Sequence, residues 1–175
     1  MSKDTKEKIL ESARKHLLST SVDSFSMRNI ARDCNISAGT IYNHYPDKNA
    51  LIAAIMIEDW HKALKDMESG IEESGSFSEG IEKIYTAITS FAYRYRKVWS
   101  GYRDTGNYIS IQSTRHLELI NEINCNTRNL LMKYGSEQDL TISRLLSESI
   151  LTAALHEEIT LDELLAYGNY IVKER

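Results

Sequence analysis

Apolar residues recur through most of the chain at intervals of three or four, the repeat of a helix with one buried face. Ile9, Ala13 and Leu17 form the first such stripe. Asp4-x-x-Glu7 before it has the form of a capping box, so the pattern predicts a helix to about Ser19. Ser26 is placed to cap a second helix, Met27 to about Cys34, that buries Met27, Ile30 and Ala31. Ser37 is placed to cap a third, Ala38 to Tyr45, with Ile41 and Tyr45 inward. Pro46 cannot readily continue that helix, and Asp47 caps a fourth, from Lys48 to about Glu68, with Leu51, Ile55 and Leu64 along one side. The stretch "ESGIEESGSF" (68–77) reads as a break, after which Ser76-x-x-Glu79 opens a fifth helix to about Lys97. "SGYRDTGNY" (100–108) interrupts again. A long helix follows, about Ser110 to Tyr134, and Gly135 ends it. Ser136-x-x-Asp139 leads into a helix over about 139–157, and Thr160-x-x-Glu163 starts the last. No alternating run demands a strand. The expectation is an all-α chain of eight or nine helices.

The segment between the second and third helices is the most informative. Cys34-Asn35-Ile36-Ser37 is a turn of four residues, and Asn35 stands where a left-handed backbone is needed. Ile30, Ala31, Ile36 and Ile41 then share one small core that fixes the angle between the two helices. This is a helix-turn-helix pattern, whose second helix can enter a major groove. Ser37, Ala38, Gly39 and Thr40 form its first turn. Their small side chains permit close approach to DNA, and the unpaired N–H groups there favour a phosphate. Tyr42 and Asn43 point away from the Ile41/Tyr45 side, so one can donate to a phosphate and the other can meet a base edge. His44 flanks them. Lys48 opens a helix, where a cation opposes the helix dipole unless an anion sits nearby.

Composition changes this picture little. The chain of 175 residues is 42% apolar and 26% charged, as in ordinary globular proteins. Its net charge of −4 is uneven. Residues 1–48 hold eight Lys/Arg against six Asp/Glu, a net +2, which leaves −6 for the rest and fits a small anion-binding head on an acidic body. No run of about 20 apolar residues suggests a membrane span, and the charged N-terminal stretch is unlike a signal peptide, so a cytoplasmic location is expected. Cys34 and Cys125 have neither metal nor redox spacing and are expected in the core.

"SMRNIARDCNISAGTIYNHYPDKNAL" (26–51) resembles the DNA-binding segment of TetR-family transcriptional regulators. Ser26, Ile30, Ala31, Ser37, Gly39, Ile41, Tyr42, His44, Lys48 and Leu51 fall on the family pattern. Cys34-Asn35-Ile36, Tyr45, Asp47 and Ser21 depart from it. The resemblance implies a three-helix DNA-binding domain over 1–47 and a helical ligand-binding and dimerisation domain over 48–175. It implies that Ser26, Thr40, Tyr42 and Lys48 hold phosphates, and that Arg28, Ala38, Gly39 and Asn43 face base edges. It further implies a homodimer on a near-palindromic double-stranded operator, and repression relieved by a small-molecule inducer. An alternative is a coregulator of the same fold acting through a protein partner.

The body offers two candidate surfaces. Ile142, Leu145, Leu146, Ser149, Ile150 and Ala153 recur at helix spacing, as do Leu161, Leu164, Leu165, Gly168, Ile171 and Val172. Two such helices from each subunit would make a four-helix dimer interface, with Leu145, Ser149, Ile150, Ala153, Leu161, Leu164, Leu165, Gly168, Ile171 and Val172 as contacts. The same stripes also fit packing within one chain. Tyr85, Phe91, Tyr95, Trp99, Tyr102, Arg103 and His116 are candidates to line a ligand pocket. Tyr85, Ile88, Phe91 and Tyr95 equally fit a core stripe. No metal-ligand spacing, nucleotide loop or nucleophile–base pair stands out, so no enzyme, cofactor or metal site is expected.

Overall fold

The computed structural model describes residues 3–19, 22–102, 108–135, 141–156 and 159–173. Among these there is no strand. Eight α-helices follow in order: α1 (Lys3–Ser19), α2 (Met27–Asp33), α3 (Ala38–His44), α4 (Lys48–Glu73), α5 (Phe77–Tyr102), α6 (Tyr108–Tyr134), α7 (Ser143–Leu155) and α8 (Leu161–Lys173). A 3-10 turn, Val22–Ser24, lies between α1 and α2. The chain divides into two compact units, Met1–Trp60 with Arg94–Thr105, and His61–Tyr93 with Gly106–Arg175.

In the first unit, α2 and α3 have seven residues each, too short to persist alone in water. They hold because Ile30 and Ile41 are fully buried, with Met27, Ala31 and Tyr45 beside them, in a core shared with Ile9, Ala13 and Leu17 of α1 and Leu51 and Ile55 of α4. Each large aliphatic side chain removed from water contributes about 1.5–3 kcal/mol. The link between α2 and α3 is a Schellman turn. Asn35 takes a positive φ of 53°, its N–H donates to Arg32 O at 3.0 Å, and Ile36 N–H donates to Ala31 O at 3.0 Å. The left-handed asparagine predicted from the sequence is where the chain needs it.

A carboxylate lies within this apolar unit. Asp59 on α4 has a side chain only 6% exposed. Its Oδ1 accepts Arg14 Nε of α1 at 2.8 Å, and its Oδ2 accepts Tyr95 OH at 2.7 Å and Arg94 Nη1 at 3.0 Å, both from α5. Arg14 also pairs with Glu58. Three segments distant in sequence therefore meet at one residue.

The second unit is held by close helix approaches. A Cβ at Gly80 of α5 would collide with Leu130 of α6, and one at Gly168 of α8 would collide with Ile81 of α5. Between α6 and α7, Ser147 Oγ donates to Ser143 O at 2.8 Å and meets Thr127 Oγ1 at 3.0 Å, so the buried hydroxyls are satisfied. At the end of α4, Lys133 Nζ of α6 donates to the carbonyls of Ile71, Glu72 and Ser74 at 2.7, 2.8 and 2.8 Å. Thr160 and Glu163 form a reciprocal capping box on α8: Glu163 N–H donates to Thr160 Oγ1 at 3.2 Å and Thr160 N–H to Glu163 Oε2 at 2.9 Å.

Several boundaries differ from the sequence reading. Helix α4 runs past Glu68 to Glu73, because Gly70 is buried against Lys83 rather than ending the helix, and the break shrinks to residues 74–76. Helix α5 runs from Phe77 to Tyr102, through the start of the predicted interruption. Its Ser76 cap accepts Glu79 N–H at 3.2 Å, but Glu79 reaches back to Gly75 N–H at 2.9 Å. Helix α7 spans Ser143–Leu155, shorter than predicted, and Ile142 at its N-cap makes no side-chain cap bond. The Ser136/Asp139 box and the Asp4 side chain lie outside the described residues. Leu64 is only half-buried; the α4 stripe continues instead through Ala63, Met67 and Ile71. Cys125 is exposed, not in the core, because α6 turns Ile120, Ile123 and Thr127 inward and leaves position 125 outside; Cys34 is half-buried.

Candidate nucleic-acid interface

Three N-caps position the candidate site. Ser26 Oγ lies 3.5 Å from Asn29 N, Ser37 Oγ accepts Thr40 N–H at 3.1 Å, and Asp47 Oδ1 accepts Ala50 N–H at 2.8 Å. Each cap starts a helix within a few residues of the last stop, so α2, α3 and the head of α4 are aimed by local chemistry. Ser37 Oγ and Thr40 Oγ1 also hydrogen-bond at 2.9 Å, which fixes the first turn of α3.

Helix α3 buries Ile41 completely and turns Tyr42 and Asn43 outward; Tyr42 is 47% exposed. Gly39 faces open space, where an added Cβ would meet only Ser37 Oγ at 3.7 Å. Ala38 and Thr40 are half-buried and Ser37 is exposed. His44 is half-buried, and its Nε2 is enclosed with no hydrogen-bond partner, so that nitrogen faces the protein and not an incoming ligand. The Tyr45 hydroxyl is likewise enclosed without a partner. Burial, and then the charge of Glu58, push its phenol above the ordinary range.

An open cleft of about 500 Å³ gathers residues from four places in the chain: Ser24 and Phe25 after α1, Ser26, Met27 and Arg28 at the head of α2, Tyr42 of α3, and Asp47 and Lys48 at the head of α4. Four of the residues expected to meet DNA (Ser26, Arg28, Tyr42 and Lys48) thus share one recess. It carries two cations, two serine hydroxyls and a phenol, a set suited to an anion. Asp47, read from the sequence only as a cap, also lines this recess and sets a carboxylate among those groups. No group of three or more potential metal ligands occurs among the described residues.

Residues 9–55 match the family described as bacterial regulatory proteins, tetR family. The HTH-type transcriptional regulator UidR of Escherichia coli (strain K12) is 40% identical over 68 residues, which make up 39% of this chain and 35% of the relative. Residues 9–55 are thus similar to the tetR-type regulatory segment. The match spans about a third of the length of that curated relative. Two solved structures share the TetR-like fold across nearly the whole chain. Salmonella enterica GusR superposes with a TM-score of 0.65 at 21% identity, over 97% of this chain and 96% of that one. A TetR transcriptional regulator from Legionella pneumophila superposes with a TM-score of 0.54 at 22% identity, over 99% of each.

The other candidate residues are scattered. Tyr85 and Phe91 are half-buried; Tyr95 is fully buried with its hydroxyl committed to Asp59. Arg103, and the side chains of Trp99, Tyr102 and His116, lie outside the described residues. Of the residues considered for a dimer face, Ile150, Ala153 and Leu164 are already buried, and Gly168 packs on Phe77 and Ile81 of its own chain. Leu145 is 62% exposed; Ser149, Leu161, Leu165, Ile171 and Val172 are half-buried. No described helix is long and apolar enough to cross a membrane.

Proposed function

We propose that this protein is a cytoplasmic, sequence-specific DNA-binding transcriptional regulator, acting as a homodimer and repressing until a small molecule binds its body. Residues 1–47 are the reading head and 48–175 the ligand-binding and dimerisation body. The observation that carries this is the outward side of α3: Tyr42 and Asn43 are exposed while Tyr42 shares a recess with Ser26, Arg28 and Lys48. Ser26, Thr40, Tyr42 and Lys48 contact phosphates; Arg28, Ala38, Gly39 and Asn43 face base edges. Ser37 sets the first turn that approaches the groove, and His44 supports it from behind.

The name of UidR, a transcriptional regulator, supports the same reading. For the dimer, support comes from apolar side chains left uncovered on α7 and α8: Leu145, Tyr167 and Tyr170, at 62, 44 and 63% exposure. Tyr85 and Phe91, both half-buried, remain the described candidates to meet an inducer, whereas the Tyr95 hydroxyl is already engaged by Asp59.

Binding to the DNA flanking the protein's own coding region tests the proposal. Footprinting should reveal two half-sites about one or more helical turns apart, with affinity falling steeply with salt. Tyr42→Ala and Lys48→Ala should each lose tenfold or more in affinity, roughly the loss of a good phosphate contact. Retention of full affinity in both variants would refute it.

A further inference from the structure

We propose that Asp47 limits how strongly this protein holds DNA, by setting a carboxylate inside the cleft that receives the phosphate. The inference rests on the DNA-binding reading above and names a residue that works against attachment. Three charged side chains line the cleft, Arg28, Lys48 and Asp47, so its formal charge is +1 where the two cations alone would make it +2.

Asp47 is exposed, and among the described residues its carboxylate forms no ion pair with Arg28 or Lys48; its Oδ1 accepts Ala50 N–H at 2.8 Å. That bond has two effects. It uses one of the amides at the head of a 26-residue helix, an amide that would otherwise point at an incoming anion. It also places a full negative charge against the positive end of that helix, where a phosphate would otherwise gain the same stabilisation. A phosphate entering beside Tyr42 and Lys48 therefore meets a carboxylate already holding part of its site.

The role needs the charge and not the cap. An asparagine at 47 keeps an oxygen to accept from Ala50 N–H, since Asn and Asp cap about equally well. Removing one repelling charge a few ångströms from a phosphate, in a solvent-exposed cleft, corresponds to about a three- to tenfold gain in affinity per protomer. Because phosphates are common to every duplex, the gain applies to any sequence, and Asp47 thereby lowers occupancy of non-operator DNA.

The test measures binding of the full chain to a mixed-sequence duplex and to the footprinted operator, across a salt series, for the native protein, Asp47→Asn, Asp47→Ala and Lys48→Ala. Asp47→Asn should unfold at or slightly below the native temperature, bind both duplexes several-fold more tightly, and show a steeper dependence of log affinity on log salt. Asp47→Ala should also bind more tightly but unfold earlier, having lost the cap. Unchanged or weaker binding by Asp47→Asn, alongside the expected loss in Lys48→Ala, overturns this role for Asp47 while the DNA-binding reading stands. Absence of salt-sensitive duplex binding in every protein, native included, removes both.

Discussion

Arg14 Nε donates to Asp59 Oδ1 at 2.8 Å, joining α1 to α4 across 45 positions of sequence. With Arg94 and Tyr95 of α5 on its other oxygen, Asp59 is a buried carboxylate held by α1 on one side and α5 on the other. Removing it leaves the buried Tyr95 hydroxyl without its acceptor and Arg14 with Glu58 alone, while Arg94 can turn to water. Asp59→Ala is expected to cost roughly 1–3 kcal/mol, the range for a buried polar group left without its partner, read by chemical denaturation. A loss under about 1 kcal/mol would mean that Arg14 is held by Glu58 alone.

Tyr95 gives the pH dependence. Burial, with the hydrogen bond to Asp59 and its charge, raises the phenol well above its ordinary value. A raised folded-state pKa gives stability that is complete below the unfolded value, about 10, and is lost as pH climbs towards the folded one. Denaturation midpoints should therefore fall above about pH 10. Tyr95→Phe should lack that component and be about 1.5–3 kcal/mol less stable at neutral pH, having lost a bond to a charged acceptor.

Losing the Tyr45 hydroxyl should have the opposite effect on stability at neutral pH. That hydroxyl is enclosed with no partner, so it costs desolvation without return. Tyr45→Phe should stabilise the fold by about 1 kcal/mol, a rise of roughly 2–4 °C in melting temperature, without weakening DNA binding. A fall in stability would mean that the hydroxyl has a partner in solution.

Much of this unit was legible in advance because its signals are local. Ser26, Ser37 and Asp47 act on amides three residues away, and Asn35 acts on its own backbone, so short-range chemistry was enough. Asp59 was invisible for the converse reason. Its partners at 14, 94 and 95 are near only once the chain has folded, and an aspartate on a helix reads as solvated until they arrive. Glycines misled for a related reason. Gly70 within "ESG" looks like a stop, yet it opens the last turn of α4, with Lys83 packed where a side chain would be. The exposure of Cys125 was lost in the same way, since a stripe marks a buried face only after the neighbouring helices define it.

Two glycines should respond oppositely to alanine. At Gly168 the new methyl would enter the space of Ile81, which is fully buried and cannot move freely. The cost of overpacking, about 1–3 kcal/mol, should exceed the roughly 1 kcal/mol that alanine returns in helix propensity. Thermal melts of Gly168→Ala should show net destabilisation.

At Gly39 there is room, so Gly39→Ala should be neutral or up to about 1 kcal/mol more stable. On the proposed reading the same methyl would stand on the side that meets the groove. Operator affinity should fall several-fold even though the protein is no less stable, and unchanged affinity would remove Gly39 from the reading surface.

Lys133 reaches back about sixty residues to close the carbonyls of Ile71, Glu72 and Ser74. Ribosomes release this chain from its N-terminus, so α4 emerges long before the ammonium that finishes it. A nascent or shortened chain lacking residue 133 must leave those oxygens to water, and the last turn of α4 then frays. Completion of one long rod is thereby deferred until a later segment docks, and hydrogen exchange at residues 70–73 would register that moment.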